Sequence, residues 1–268
     1  HHLRGFLRRA DLEKLLWVPQ TGELAATCLD AAAEIQQQIA RFGGAILMSA
    51  TLHPFDTFSL SCGLEPNAVA PVQAPAPWRE GAYRMAVDIR PDTRWKRRRD
   101  YYPLTADTVA ALADTADRPV AVFFPSYAYA RSVAEYLGAS APLTRIAEQP
   151  RGIDLQGQAS FIEEALLFAD VILLILGSGF SEGIDVLGGR VDTAMVVGPA
   201  LPEVNPVQEA RMERLRHRGR QAAFHRIYQI PAIQKINQAL GRLVRGPGQK
   251  ARVLLHCRRF QERSYREL

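Results

Sequence analysis

The sequence predicts an α/β protein organised on a mostly parallel sheet. Short apolar runs alternate with helical segments along the chain, the pattern of parallel strands joined by helical crossovers. The most apolar of these runs, residues 171–176, is short and flows into Gly177, which suits a central strand buried on both faces. Residues 45–52 form a second short apolar run that ends in small polar residues. Open α/β sheets place their ligands at such carboxyl ends.

Composition narrows the class. A chain of 268 residues can bury a sizeable core as one large domain or two small ones. No apolar run is long enough to span a membrane, and no signal peptide is visible. Cys28, Cys62 and Cys257 stand far apart with no C-x-x-C, which argues against a disulfide framework or a metal site and fits a reducing cytosol. A net charge of +5 and a pI near 9.3 favour a polyanionic partner.

Taken in order, residues 3–44 read as helical segments broken at Pro19–Gly22, with Asp11 placed to cap a turn over 12–16 and a helix over 30–42 closed by Gly43 and Gly44. Residues 45–52 read as a buried parallel strand. Residues 63–80, rich in Pro and Ala, read as an extended linker, so the expected domains are 1–78 and 79–268. Residues 84–89 are a strand. The stretch Arg94-Trp95-Lys96-Arg97-Arg98-Arg99, followed by Tyr101 and Tyr102, interleaves basic and aromatic residues. It suits either a nucleic-acid backbone or a plain solvated loop.

Residues 105–116 are a helix and 120–124 a buried strand. Pro125-Ser126-Tyr127 then opens a helix running through Leu137, an arrangement that offers backbone N–H groups and a hydroxyl to a phosphate. Residues 138–160 read as irregular. A helix over 161–168 precedes the 171–176 strand, which runs into Gly177-Ser178-Gly179-Phe180-Ser181-Glu182-Gly183-Ile184-Asp185. These glycines permit positive φ and close approach to a ligand. The carboxylates suit a ribose hydroxyl or an arginine. Metal ligation is the rival reading, but no clustered histidine supports it. Residues 191–197 are a strand, 203–235 helical with many arginines, and 252–256 the last strand. Between the last two, Gln238, Arg242 and Arg245 fall at i, i+4 and i+7, predicting one face of a helix ended by Gly246 and Pro247. One amide and two guanidinium groups on one face suit a polyphosphate, though a solvated basic face has the same period.

The order Q-x-x-G-R-x-x-R-G over residues 238–246 resembles motif VI of superfamily 2 helicases in its XPD/DinG form, and F-S-E-G-I-D over 180–185 resembles motif V of that branch. Ser49-Ala50-Thr51-Leu52 resembles motif III and Phe124-Pro125-Ser126-Tyr127 motif IV, so four motifs fall in family order over nearly the whole chain. Ser178 departs from the basic residue often found there, and Cys257 and Arg258 replace the usual small and acidic pair.

The resemblance implies a RecA-like second motor domain preceded by the tail of the first. It further implies an ATP-dependent DNA helicase active in DNA repair, moving 5′ to 3′ on single-stranded or forked DNA, in a bacterial or archaeal cytoplasm. Arg245 would be the catalytic finger beside Arg242. Gln238, Gly241, Glu182, Gly183 and Asp185 would serve the nucleotide, and Ser49, Ala50 and Thr51 the coupling of domains. Ser126, Tyr127, Ser181, Arg94, Lys96 and Arg97 would hold the strand. The chain has no G-x-x-x-x-G-K-[ST] and no D-E-x-H. Phosphoryl transfer needs both as well as a finger. ATP and Mg²⁺ would therefore require an N-terminal helicase half as partner, where any iron–sulfur cluster would also lie, and this chain alone would not hydrolyse ATP. The alternative is a standalone degenerate domain that binds nucleic acid or protein. An RNA rather than DNA track also stays open.

Overall fold

The computed structural model describes residues 2–178 and 185–266, in two compact units: His1–Gln73 with Pro202–Pro231, and Ala74–Leu201 with Ala232–Leu268. Among the described residues no helix is long and apolar enough to cross a membrane.

The first unit holds an antiparallel hairpin, β1 (Lys14–Trp17) and β2 (Ala25–Cys28), and helices Ala32–Ile39, Phe55–Ser61 and Pro206–Arg214. The hairpin corrects the helical reading of this stretch. The Pro19–Gly22 break is a reversal between strands: Gly22 takes φ +86°, and Trp17 Nε1 donates to Thr27 Oγ1 across the pair at 2.9 Å. Asp11 pairs with Arg9 instead of capping a turn.

Residues 45–52 form no strand, which corrects the sequence expectation. Ile46 and Met48 are each 87% exposed. An apolar run becomes a strand only when a neighbour takes up its backbone N–H and C=O groups, and no described strand pairs with it.

The second unit is a six-stranded sheet: β3 (Tyr83–Asp88), β4 (Val120–Phe124), β5 (Ile146–Glu148), β6 (Val171–Ile175), β7 (Thr193–Val196) and β8 (Ala251–His256). Its order is β3-β8-β7-β4-β6-β5, with every pair parallel. β4 and β6 are wholly apolar, mostly β-branched or large residues, and buried throughout, as central strands covered on both faces must be. Alternate side chains feed two cores. Val122, Phe124, Leu173 and Met195 pack with helices Tyr102–Asp114 and Tyr127–Ser140. Phe123, Ile172, Leu174 and Val196 pack with helix Leu155–Phe168 and with Ile236, Leu240, Leu243 and Val244. The result is a three-layer α/β fold on a parallel sheet, as the strand–helix alternation predicts; the family resemblance implies its RecA-like form.

Local chemistry sets the boundaries. Ser126 and Asp154 cap their helices, accepting from Tyr129 N and Gly157 N. Residues 138–160 are not irregular throughout, as β5 and the first turn of helix Leu155–Phe168 lie there. A three-residue strand carries too short a pattern to be read.

Helix Ile230–Leu240 ends earlier than its periodicity suggests. Its terminal carbonyls are taken up from outside: Tyr83 Oη donates to Leu240 O and Arg79 Nη2 to Gly241 O, both at 2.9 Å. Burial of Leu243 and Val244 then pins a tight turn. Gln238, Arg242 and Arg245 therefore do not share one helical face. Gln238 is on the helix, and both arginines are on the turn beyond it.

Candidate functional site

Because all six strands run one way, residues just before strand starts gather at one edge of the sheet and those just after strand ends at the other. The expected site residues divide between these edges.

The arginine-bearing turn, residues 241–249, lies at the amino edge. Arg245 is exposed and Arg242 half-buried. The turn packs on Gly188 and Gly189, which lead into β7. A Cβ at Gly188 would stand 2.8 Å from Arg245 Cγ, and Gln249 fills the space a Cβ at Gly189 would need. Gln249 Oε1 accepts from Arg245 N at 2.6 Å and from Gly246 N at 3.3 Å, and Gly189 N donates to Leu243 O. Arg118, just before β4, donates to Gly189 O. Gly241 is needed for a different reason: a side chain there would press on Arg79 Nη2 and Asn237 O. The backbone is thus fixed on both sides of two guanidinium groups.

At the carboxyl edge, Gln149 follows β5, Ser126 follows β4 and Ser178 follows β6. Buried Gln149 ties Tyr127, next to Ser126, to Ser178. Its Nε2 donates to Tyr127 Oη at 2.7 Å and Ser178 Oγ at 3.1 Å, and its Oε1 accepts from Ile175 N at 2.8 Å. Arg151 lies 4.5 Å over the Tyr127 ring. Neither Gln149 nor Arg151 is singled out by the sequence, because no motif marks Gln149-Pro150-Arg151 and β5 is so short.

The segment after β3 reaches the same edge through two repeated steps, Asp88-Ile89-Arg90 and Asp92-Thr93-Arg94. In each, a buried aspartate accepts from the backbone N–H and the guanidinium two residues on. The Arg94 hydrogen bond holds the Asp92 carboxyl below its ordinary range. Arg94, expected to hold a strand, is thus committed to Asp92. Lys96 and Arg97 are exposed, and neither has an ion-pair partner among the described residues.

Helix Ile230–Leu240 joins the two edges. Lys235, which sequence reading passes over although it stands three residues before Gln238, lies against Gly177: a Cβ there would come within 2.9 Å of its Cδ, Cε and Nζ. Gly177 takes φ +73°. Ser181, Glu182 and Gly183 lie outside the described residues. Asp185 opens a short 3₁₀ turn, Asp185–Leu187, and its side chain is likewise not described. Ser49, Ala50 and Thr51 lie in the first unit, where Thr51 N donates to Ser49 Oγ at 3.3 Å. Among the described residues no three His, Cys, Asp or Glu side chains gather as a metal site.

The parallel three-layer sheet, with an arginine-bearing turn at one edge and a polar, basic rim at the other, is an α/β domain of RecA-like fold. The model of the helicase C-terminal domain family matches residues 109–268, and the chain belongs to that family. In fold it is similar to a solved structure described as an XPD helicase, at 19% identity and TM-score 0.75 over 99% of this chain and 48% of that one. A second, described as XPD APO, gives 19% identity and TM-score 0.72 over 99% and 54%. An S. tokodaii Xpd4 structure matches at 17% identity and TM-score 0.50 over 67% of this chain and 35% of its own. The chain spans about half the length of the two XPD structures. The expected likeness to XPD-type helicases is thus borne out in family and in fold.

Proposed function

We propose that this chain is the second motor half of an ATP-dependent, XPD/DinG-type DNA helicase that moves 5′ to 3′ along single-stranded or forked DNA. The observation that carries the reading is the placement of Arg242 and Arg245 at the amino edge. An open α/β sheet binds its own ligand at its carboxyl edge. Arginines fixed at the opposite edge suit a nucleotide held by a different domain, which is what an arginine finger does.

In this reading the N-terminal half supplies the phosphate cradle and carries Mg²⁺, and with it any iron–sulfur cluster. Bound ATP supplies the reactive phosphoanhydride. Arg245 stabilises charge developing on the transferred phosphoryl group, Arg242 binds beside it, and Gln238 orients both. Gly241 keeps the turn close to Arg79. Ser126, Tyr127, Lys96 and Arg97 contact the strand at the carboxyl edge. Helix Ile230–Leu240 runs between the two edges, so it is a means of coupling, while Glu182, Gly183 and Asp185 serve the nucleotide and Ser181 the strand. Ser49, Ala50 and Thr51 couple from the first motor half.

The test is strand-stimulated ATPase activity of the complete protein. Arg245→Ala should abolish turnover and leave strand binding mostly intact, and the 268-residue chain alone should not turn over ATP. Equal loss of binding and turnover would remove the finger assignment. A complete protein without ATPase activity would favour a standalone binding module.

A further inference from the structure

One exposed indole stands at the carboxyl edge on an unusual support. Trp95 is 73% exposed, yet the Arg98 guanidinium lies 4.2 Å from its ring centroid. Arg98 also lies 5.1 Å from the ring of Tyr129, which is fully buried. Tyr129 in turn packs on Tyr102 at 5.1 Å and Phe124 at 5.5 Å between centroids. A column of flat groups thus runs from the core strand β4 through Tyr129 and Arg98 to Trp95. A large exposed apolar ring held in this way loses little freedom on binding, and its outer face is open to a flat partner.

The surroundings specify that partner. Lys96, Arg97 and Arg99 are exposed beside the ring, with Asp100 the one acid in the stretch 94–101. A flat apolar surface among cations fits an unpaired base carrying phosphates on either side. We propose that Trp95 stacks a base of single-stranded DNA, with Arg98 as the positioning residue that presents the indole. The proposal rests on the strand-binding function above and adds its stacking contact. Stacking is indifferent to base identity, as a translocating strand requires.

Trp17 and Trp78 are the other two tryptophans, so Trp17→Phe with Trp78→Phe leaves Trp95 as the sole reporter. Titration of that chain at low salt with a twelve-residue oligo-dT should quench its emission. An abasic strand of equal length should bind about tenfold more weakly and leave the emission unchanged. Trp95→Leu should weaken oligo-dT binding by about tenfold and barely affect the abasic strand. Arg98→Lys, which keeps the charge and loses the flat group, should reduce the quench. Binding of oligo-dT with unchanged Trp95 emission, or equal quenching by the abasic strand, would overturn the stacking contact alone. Absence of binding by either strand would overturn the strand-binding reading beneath it.

Discussion

His256 and Asp88 face each other across the β8–β3 pair, His256 Nδ1 standing 2.9 Å from Asp88 Oδ2 while Nε2 lies 3.1 Å from Thr105 Oγ1. The imidazole is fully buried. Burial pushes its pKa from 6.5 down to about 4, against a weaker upward pull from Asp88. Between those values the unfolded chain holds a proton that the folded chain refuses, so stability falls as pH drops from about 6.5 to about 4. Asp88 adds a lower step. The hydrogen bond from Arg90 holds its pKa at about 2, so that contribution is lost only as pH falls below the usual carboxylate value. Urea unfolding should show a loss of roughly 3 kcal/mol between pH 7 and pH 4 from His256. His256→Asn should be less stable at pH 7 and should flatten that slope. An unchanged slope would mean that other groups set the acid limit.

Gly198 offers a test of packing. It takes φ +74°, and a Cβ there would fall 2.1 Å from Thr93 Oγ1. Thr93 is itself fixed, donating to Cys257 Sγ at 3.1 Å and accepting from Arg259 Nη2 at 3.2 Å. Gly198→Ala meets both a strained backbone and a clash, so a loss of about 2 kcal/mol or more is expected in thermal or urea unfolding. Adding Thr93→Ala should recover the steric part only. Full recovery would mean that backbone conformation contributes nothing.

How much of this was legible depended on whether the signal was local. β4 and β6 announced themselves because central parallel strands are apolar on both faces. The helix opening at Tyr127 was legible from the short Pro125-Ser126 loop after β4, but the role of Ser126 as its cap was seen only in the structure. The 45–52 run failed because pairing is a property of neighbours, not of the run itself. The end of helix Ile230–Leu240 was hidden because Tyr83 and Arg79, some 160 positions away, take up its last carbonyls. Arg94 and Lys96 look alike in sequence, and only Asp92 beside Arg94 separates an internal ion pair from an exposed cation.

Lys96 and Arg97 give a salt prediction. Each phosphate neutralised by a side chain releases condensed counterions, so strand affinity should fall steeply with ionic strength. Lys96→Ala and Arg97→Ala should each weaken binding and each reduce the slope of log affinity against log salt by roughly one. Arg94→Ala should change the slope less, since Asp92 already engages that guanidinium. An affinity independent of salt would argue against any phosphate-tracking surface.

Gly188 links packing to the proposed chemistry. Its φ is not positive, so the backbone accepts alanine, but the new Cβ would stand 2.8 Å from Arg245 Cγ and 3.2 Å from its Cβ. Those atoms are at the root of the side chain and cannot swing away as a far end can. The arginine must move as a whole, while buried Leu243 and Val244 hold the turn in place. A displacement of around 1 Å at a transition-state contact costs up to about a hundredfold in rate. In the complete protein, Gly188→Ala should therefore lower strand-stimulated ATPase activity by on the order of tenfold or more. Strand affinity should be unchanged and the unfolding midpoint should shift little. Enlarging the side chain further, as Gly188→Val, should deepen the ATPase defect. Wild-type turnover in Gly188→Ala would show that the position of Arg245 is not what limits the reaction, and would count directly against its role as the finger.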